Sequence, residues 1–311
     1  MTPVRTVFLG TPDFAATILE RLLAAEGVDV AAVITQPDRS GGRGKKRLEP
    51  PVKKLAAERG IPVYQPEKLD DQSLELLQGI APDALAVAAY GQILPETFLR
   101  AAPLGAVNVH ASLLPRYRGA APIQWALLNG EQVTGITTML MEPGMDTGPV
   151  LQQRALAIGV DDTAGSLHDE LAEMGGDLLP GTLAALAQGR LVPVPQDPER
   201  SSYAPKLDKS ARRIDWSASA WEVHNRIRAL HPVPGTHCTL RTSSGRELRV
   251  GIHPGIPGEE VGDADAGEVL GLDGQGRLGI ACEDRVYRLS TLQPASGKPI
   301  TARDFFNGYL A

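Results

Sequence analysis

Apolar runs alternate with amphipathic segments through the first half of the chain. Runs typical of buried strands occupy 4–9, 28–35, 61–64, 84–89, 106–110 and 134–141. Between the first two, Phe14, Ile18 and Leu22 follow the i, i+4, i+8 spacing of one helical face. Shorter helical patterns cover 52–59 and 123–129. This alternation predicts an α/β domain with a doubly wound, Rossmann-like and mostly parallel sheet.

The pattern changes in the second half. A long helix is predicted over 163–188, and Pro180 inside it is expected to kink or split it. Prolines at 193, 195, 198 and 205 then indicate a linker. A helix over 219–230 is followed by short strands between glycine turns, a pattern that favours a small β-barrel. The predicted strands cover 236–241, 247–252, 267–272, 277–282 and 285–291. The expected organisation is an α/β domain over 1–189, a proline-rich linker over 190–206 and a β-barrel domain over 207–311.

Composition excludes several classes of protein. The chain is 42% hydrophobic and 22% charged, which is ordinary for a soluble globular protein. Its cysteines, Cys238 and Cys282, are far apart and lack metal-ligand spacing, which favours buried thiols in a reducing compartment, with a single disulfide as the alternative. The sequence enters a strand directly and contains no run of membrane-spanning length. We therefore expect a cytoplasmic protein without membrane association. The expected oligomeric state is a monomer.

Basic residues are concentrated in two segments although the net charge is −6. Seven basic and two acidic residues lie between Asp38 and Lys54, and ten basic and four acidic residues lie between Arg200 and Val250. Local basic patches on an acidic protein indicate a polyanionic partner bound at defined places.

The chemistry-bearing residues are concentrated near the strand 106–110. Alternation places Asn108 and His110 on the same face at the end of this strand. An amide donor beside an imidazole suits acyl transfer, because one group can hold an oxyanion while the other moves a proton. Asp146 is a candidate carboxylate for orienting the imidazole. The alternative interpretation is that Asn108 caps a turn and His110 is a hydrogen-bonded core histidine.

Several motifs together resemble the folate-dependent formyltransferases over essentially the full length. They are Gly10–Phe14, Asn108-x-His110, Ser112-Leu113-Leu114-Pro115, Arg118–Gln124 and Asp146-Thr-Gly148. The resemblance implies formyl transfer from 10-formyltetrahydrofolate, as co-substrate, to the α-amino group of initiator methionyl-tRNA. It implies catalytic roles for Asn108, His110 and Asp146, and folate contacts from the loop 112–115. It also implies an oligonucleotide-binding (OB) type of barrel, and no metal is required.

The resemblance also implies where tRNA is contacted. The loop 40–47 would meet the acceptor end through Arg43, Lys45, Lys46 and Arg47, although a solvated charged loop explains the same pattern. Lys206 and Lys209, within the segment 203–216, either face nucleic acid or line a solvated linker.

The sequence lacks two common nucleotide-binding motifs. Gly10–Phe14 lacks the glycines of a dinucleotide fingerprint, and the loop 40–47 is not a P-loop. A formyltransferase acting on a sugar nucleotide or glycinamide ribonucleotide, and a non-catalytic RNA-binding protein, remain alternatives.

Thr236 and His237 depart from the alanine and aromatic expected for the family. His224, His231, His237 and His253 lack ligand spacing and are expected to be surface or structural residues.

Overall fold

Seven strands of the first half form one sheet in the computed structural model, which describes residues 2–41 and 46–311. The strands of this half are β1 (Val4–Gly10), β2 (Val28–Ile34), β3 (Arg39–Gly41), β4 (Lys46–Leu48), β5 (Val63–Tyr64), β6 (Ala84–Ala88), β7 (Ala106–His110), β8 (Val133–Leu140) and β9 (Val150–Ala157). The sheet order is β5-β2-β1-β6-β7-β8-β9, and β3 pairs separately with β4. Five neighbouring strands are parallel, namely β5, β2, β1, β6 and β7, whereas β8 and β9 are antiparallel to their neighbours.

In the described part of the chain, six helices accompany these strands, and the first four lie between parallel strands of the sheet. They are α1 (Asp13–Ala24), α2 (Pro51–Glu58), α3 (Asp71–Ile80), α4 (Glu96–Leu99), α5 (Pro122–Leu128) and α6 (Ala164–Ala187). The predicted face of α1 is buried, since Phe14, Ile18 and Leu22 are all within the core. The sheet is wound outward from β1 through β2 to β5, and the chain then returns to β6 on the other side of β1. Ligands of such sheets bind at the carboxyl ends of the strands near this reversal.

The second half contains α7 (Ala220–Leu230) and two four-stranded antiparallel sheets. The strands are β10 (Thr236–Arg241), β11 (Glu247–Ile252), β12 (Ile256–Glu260), β13 (Val269–Leu272), β14 (Leu278–Ala281), β15 (Arg285–Leu289), β16 (Thr291–Pro294) and β17 (Ile300–Thr301). Their orders are β10-β11-β16-β17 and β12-β15-β14-β13. A terminal helix, α8 (Ala302–Phe305), continues into a π-helical turn, Phe306–Leu310. Ile227, Leu240, Ile280, Tyr287 and Phe305 belong to one buried cluster, as in a small barrel-like domain.

The chain divides into two compact units that are not continuous in sequence. The first unit contains 1–122, 133–157 and 168–204, and the second contains 123–132, 158–167 and 205–311. Inside the second unit, His224 Nε2 lies 2.8 Å from the Val160 carbonyl oxygen, and the Gly165 amide donates to the His231 carbonyl at 3.1 Å. The short segment 158–167 is therefore held by the C-terminal part of the chain.

The predicted α/β sheet with a following barrel-like β-domain is confirmed, with several local differences. The expected split at Pro180 is wrong, because α6 is unbroken and buries Leu167, Leu171, Leu179 and Leu183 on both sides of the proline. The predicted strand 285–291 is two strands, β15 and β16, and α3, β9 and β12 were not predicted. Across the described residues no helix is both long enough and apolar enough to cross a bilayer.

Candidate active site

Strand β7 positions the first two candidate residues. Asn108 pairs with Met139 of β8 and with Val87 of β6, so it lies in the middle of the sheet rather than at an edge. Asn108 and His110 share one face of the strand, whereas Val107 and Val109 occupy the other. Both polar residues are buried, with 9% and 6% of their surface exposed. The strand therefore holds an amide and an imidazole side by side in a largely dehydrated position.

The loop between β8 and β9 brings Asp146 to His110. The loop leaves the sheet where the Met141 amide donates to the Ala106 carbonyl, at the opposite end of β7 from His110. It then folds back, and Asp146 Oδ2 lies 3.7 Å from His110 Nδ1. The Asp146 backbone has φ 54°, in the left-handed region that Asp tolerates better than most residues. Its Oδ2 atom also accepts a hydrogen bond from the Gly119 amide at 2.9 Å.

The other nitrogen of His110 determines how the ring can transfer a proton. Nε2 lies 2.9 Å from the Tyr117 carbonyl oxygen, and a carbonyl can only accept. Nε2 therefore carries a hydrogen, and Nδ1 is the atom that can exchange a proton. Nδ1 faces the Asp146 carboxylate.

Asn108 differs from His110 in its hydrogen bonding. Its side chain makes no hydrogen bond with any residue in the described part of the chain. Both hydrogens of its amide therefore remain for a ligand, as an oxyanion donor requires.

Gln196 fixes the position of the Asp146 loop, and nothing in the sequence pattern singled it out. Its Nε2 donates to the carbonyl oxygens of Asp146 and Gly148 at 2.8 and 2.7 Å. Its Oε1 accepts from Nε and the terminal nitrogen of Arg118 at 3.0 and 2.8 Å. Gln196 thus connects the Asp146 turn to Arg118. The next residue, Gly119, is the one whose amide donates a hydrogen bond to Asp146. Its place in a proline-rich segment carried no signal of this role.

The connecting segment also holds the loop that follows β7. The Arg118 amide donates to the Ser202 carbonyl at 2.9 Å, and the Ala204 amide donates to the Arg118 carbonyl at 2.7 Å. The Tyr117 amide donates to Ser202 Oγ at 2.9 Å. Residues 196–204 therefore pack within the first unit and shape the wall of the site.

The loop Ser112–Pro115 follows β7 directly, and its polar backbone groups are largely occupied. Leu114 donates to Thr137 Oγ1 at 3.1 Å and accepts from Gln153 at 2.8 Å, and the Ser112 carbonyl accepts from Thr137 at 2.6 Å. The side chains of Ser112 and Leu114 are buried, whereas Leu113 and Pro115 are partly exposed, so a ligand at this loop would meet mainly these two residues. The predicted folate contact remains a prediction.

Uncharged polar groups at neighbouring strand ends were also not predicted. Thr35 and Gln36 follow β2, and Tyr90 follows β6. Thr35 Oγ1, Gln36 Nε2 and the Tyr90 hydroxyl are buried, and none of them has a hydrogen-bond partner among the residues that the structure describes. Burial raises the pKa of Tyr90 to about 12, so the hydroxyl stays protonated. The sequence signal that could have identified these residues is their position just after buried strands. They follow β2 and β6, the two strands on either side of β1 where the sheet order reverses.

The predicted basic loop is described only at its base. Arg43 and Lys45 lie outside the described residues, as does the side chain of Lys46. Arg47 is exposed, and its Nε lies 3.3 Å from Asp38. Asp38 is held in turn by Lys53 at 2.8 Å and by Gln65 at 2.8 Å. The Gln65 hydrogen bond and then Lys53 hold the pKa of Asp38 below its usual value, so a charged anchor fixes the base of the loop.

Lys206 and Lys209 belong to the second unit, and both are exposed. Neither ammonium group forms an ion pair with a residue that the structure describes. Within 2–41 and 46–311, no group of histidine, cysteine or carboxylate side chains is arranged to hold a metal ion.

Comparisons with known proteins identify the family of the chain. The family model for formyl transferase matches 4–183, and the model for the formyl transferase C-terminal domain matches 206–310. The methionyl-tRNA formyltransferase of Nitratidesulfovibrio vulgaris is 49% identical over 311 residues, covering 99% of this chain and 94% of that protein.

Two solved structures share the fold. HypX from Aquifex aeolicus in complex with tetrahydrofolic acid matches 97% of this chain with a TM-score of 0.63 and 19% identity, and the match spans 46% of HypX. The N-formyltransferase from Helicobacter canadensis, in complex with folinic acid and dTDP-3-aminofucose, matches 93% of this chain and 99% of its own, with a TM-score of 0.64 and 18% identity. With both family models matched and a relative that is 49% identical along its length, the chain belongs to the formyl transferase family, on its methionyl-tRNA formyltransferase branch.

Proposed function

We propose that this protein transfers a formyl group from 10-formyltetrahydrofolate to the α-amino group of methionyl-tRNA. The observation that carries the proposal is the convergence of Asn108, His110 and Asp146 on one face of β7, in a chain of the formyl transferase family. The folate is a co-substrate, in line with the folate ligands of the two structural relatives.

The reaction requires a proton to leave the amine and another to reach the folate. The neutral amine forms a bond to the formyl carbon, and the carbonyl electrons move onto oxygen. The Asn108 amide donates to this oxyanion, because its hydrogens have no other partner among the described residues. When the carbonyl re-forms, the bond to folate N10 breaks and N10 takes up a proton.

His110 and Asp146 handle the proton. Nε2 of His110 is engaged by Tyr117, so the imidazole acts through Nδ1. Asp146, at 3.7 Å from Nδ1, is close enough to stabilise the protonated ring and to accept a proton from the attacking amine through a water molecule. The carboxylate is held by a hydrogen bond from the Gly119 amide, and its loop is held by Gln196.

The remaining predicted residues bind rather than react. The loop Ser112–Pro115 contacts the folate beside the reacting carbon. Arg43, Lys45, Lys46 and Arg47 contact the acceptor end of tRNA, and Lys206 and Lys209 contact its backbone. Support for the last two is their exposure and their freedom from ion pairs with described residues. Residues 1–189 would then carry the chemistry, 190–206 the connection and 207–311 most of the tRNA affinity.

The test is formylation of charged initiator tRNA with labelled 10-formyltetrahydrofolate, beside reactions with a nucleotide-linked amino sugar and glycinamide ribonucleotide. Wild type is expected to label only the tRNA. Asn108→Ala and His110→Ala are each expected to lower kcat by about two to four orders of magnitude. His168→Ala is a matched control, since this histidine is partly exposed in the same unit and pairs with Asp169.

Two outcomes would contradict the proposal. Formylation of a small amine in preference to charged tRNA would favour the alternative formyltransferase function. Tight tRNA binding without folate turnover, unaffected by Asn108→Ala, would favour a non-catalytic RNA-binding protein.

A further inference from the structure

A basic cleft of about 420 Å³ lies on the second unit, and none of the described residues assigned a role above lines it. Its floor is a row of paired residues across three strands. His237 of β10 lies opposite Gly251 of β11, and Gly251 lies opposite Gln293 of β16. Because Gly251 has no side chain, the row is depressed at its centre. A Cβ placed there would lie 3.2 Å from Gln293 Cβ.

The walls of the cleft carry nitrogen-bearing side chains. Arg249 and His253 flank Gly251 at i−2 and i+2, so alternation places them on the same side of the sheet. The ring of His231 meets that of His253 edge to face, with centroids 5.5 Å apart. Arg212 is held in the lining by its Nε, which donates to the Gly235 carbonyl at 3.2 Å.

The charge of this cleft has one sign. Among the described residues, two arginines and three histidines line it and no acidic side chain does. Burial lowers the pKa of all three imidazoles, and Arg249 and Arg212 lower that of His237 further. The rings are therefore neutral near pH 7, and the permanent charge comes from the two arginines.

The side chains that line the cleft indicate the class of ligand it binds. The described histidines of the cleft form no group arranged to hold a metal ion. Guanidinium groups match the oxygens of a phosphate in geometry and charge. Neutral imidazoles add hydrogen bonds and flat surfaces on which unpaired bases can stack. A sheet face of a small β-barrel is also a recurrent surface for oligonucleotides.

We propose that Arg212 and Arg249 bind a backbone phosphate of the tRNA substrate in this cleft, with His231, His237 and His253 lining the adjoining nucleotide. The identity of the RNA rests on the proposed function, whereas the binding of an RNA phosphate does not. His237, one of the two departures from the family pattern, contributes to the floor of the cleft.

The experiment compares full-length variants for binding of uncharged initiator tRNA over a salt series. Arg212→Gln and Arg249→Gln are each expected to weaken binding about threefold and to flatten the log–log salt dependence by somewhat less than one unit, as for one lost phosphate contact. Arg246→Gln is the matched control, because Arg246 is exposed in the turn between β10 and β11 and does not line the cleft. It is expected to bind as wild type does.

A second variant tests the shape of the cleft without changing its charge. Gly251→Ala fills the floor, and its backbone does not have a left-handed φ. It is expected to weaken tRNA binding while circular dichroism and thermal unfolding stay close to those of wild type. A parallel titration with inorganic phosphate, followed through the histidine ring protons, identifies a site for small anions.

The outcomes separate this inference from the proposed function. If wild type formylates methionyl-tRNA but the arginine variants bind it like Arg246→Gln, the cleft is not an RNA site and the function stands. Phosphate-induced shifts with unchanged tRNA binding would likewise overturn the inference in favour of a small-anion site. Weakened tRNA binding in the cleft variants supports it, even if wild type fails to formylate.

Discussion

Replacing Asp146 by asparagine isolates the charge that faces His110. The side chain keeps its size, and its amide oxygen can still accept the hydrogen bond from Gly119 that Asp146 now accepts at 2.9 Å. The left-handed backbone at this position also suits asparagine as well as aspartate. The variant should therefore fold with the loop in place and lose only the negative charge.

The expected size of the effect follows from the distance. Unit charges about 4 Å apart interact by about 4 kcal/mol at the effective dielectric constant of about 20 that suits protein sites. His110 Nδ1 and Asp146 Oδ2 lie 3.7 Å apart, and their side chains are 7% and 17% exposed, so solvent screens the pair only partly. Since about 1.4 kcal/mol corresponds to a tenfold change in rate, Asp146→Asn is expected to lower kcat by about two to three orders of magnitude.

Single-turnover formylation with both substrates saturating measures this loss without contributions from binding. Asp169→Asn is the control, because Asp169 forms a similar pair with His168, at 2.9 Å, in a position where the carboxylate is 85% exposed. It is expected to react at the wild-type rate. A rate for Asp146→Asn within about threefold of wild type, with an unaltered pH–rate profile, would refute a role for this charge in the reaction.

Further variants test the surroundings of the site. Gln196→Ala is expected to lower kcat about tenfold with little change in folate affinity, because four hydrogen bonds that position Asp146 and Arg118 are lost. Kinetics equal to those of wild type would show that Gln196 does not position these residues for the reaction. The pKa of Asp38 is lowered in the folded protein, so its stabilising contribution is present above the unfolded value of 3.8 and is lost as pH falls through the lower folded value. Urea unfolding of Asp38→Asn should therefore depend less on acidification than that of wild type, and identical pH profiles would contradict this. Arg43→Ala is expected to raise KM for charged tRNA without changing folate affinity, and the reverse pattern would assign the loop to the donor site.

The sequence predicts elements best where burial is continuous. Strand β7 and strands β10 and β11 have the predicted bounds, because apolar residues repeat with the period of a strand and turn residues delimit them. Strand β9 was missed since its centre, Gln152–Arg154, is polar and lies at the edge of the sheet. At α6 the proline signal was outweighed by packing, because the apolar stripe is buried on both sides of Pro180.

The same contrast applies to the site. Asn108 and His110 could be placed together from alternation alone, which is a local property of one strand. Asp146 required a loop that folds back over that strand, and its distance from His110 cannot be derived from spacing. Gln196 is separated from Asp146 by 50 residues, and its hydrogen bonds arise only when the connecting segment packs on the site.

The discontinuity of the second unit limits how members of this family can be recombined. A chimera joined at the connecting segment would take 205–311 from one parent and leave 123–132 and 158–167 with the other. The carbonyl of Val160 would then face a foreign residue in place of His224, and Gly165 would donate to a foreign backbone in place of His231. Domain grafts between distant relatives should therefore include both inserted segments as well as the C-terminal part, and a graft of that part alone is expected to be less stable than either parent.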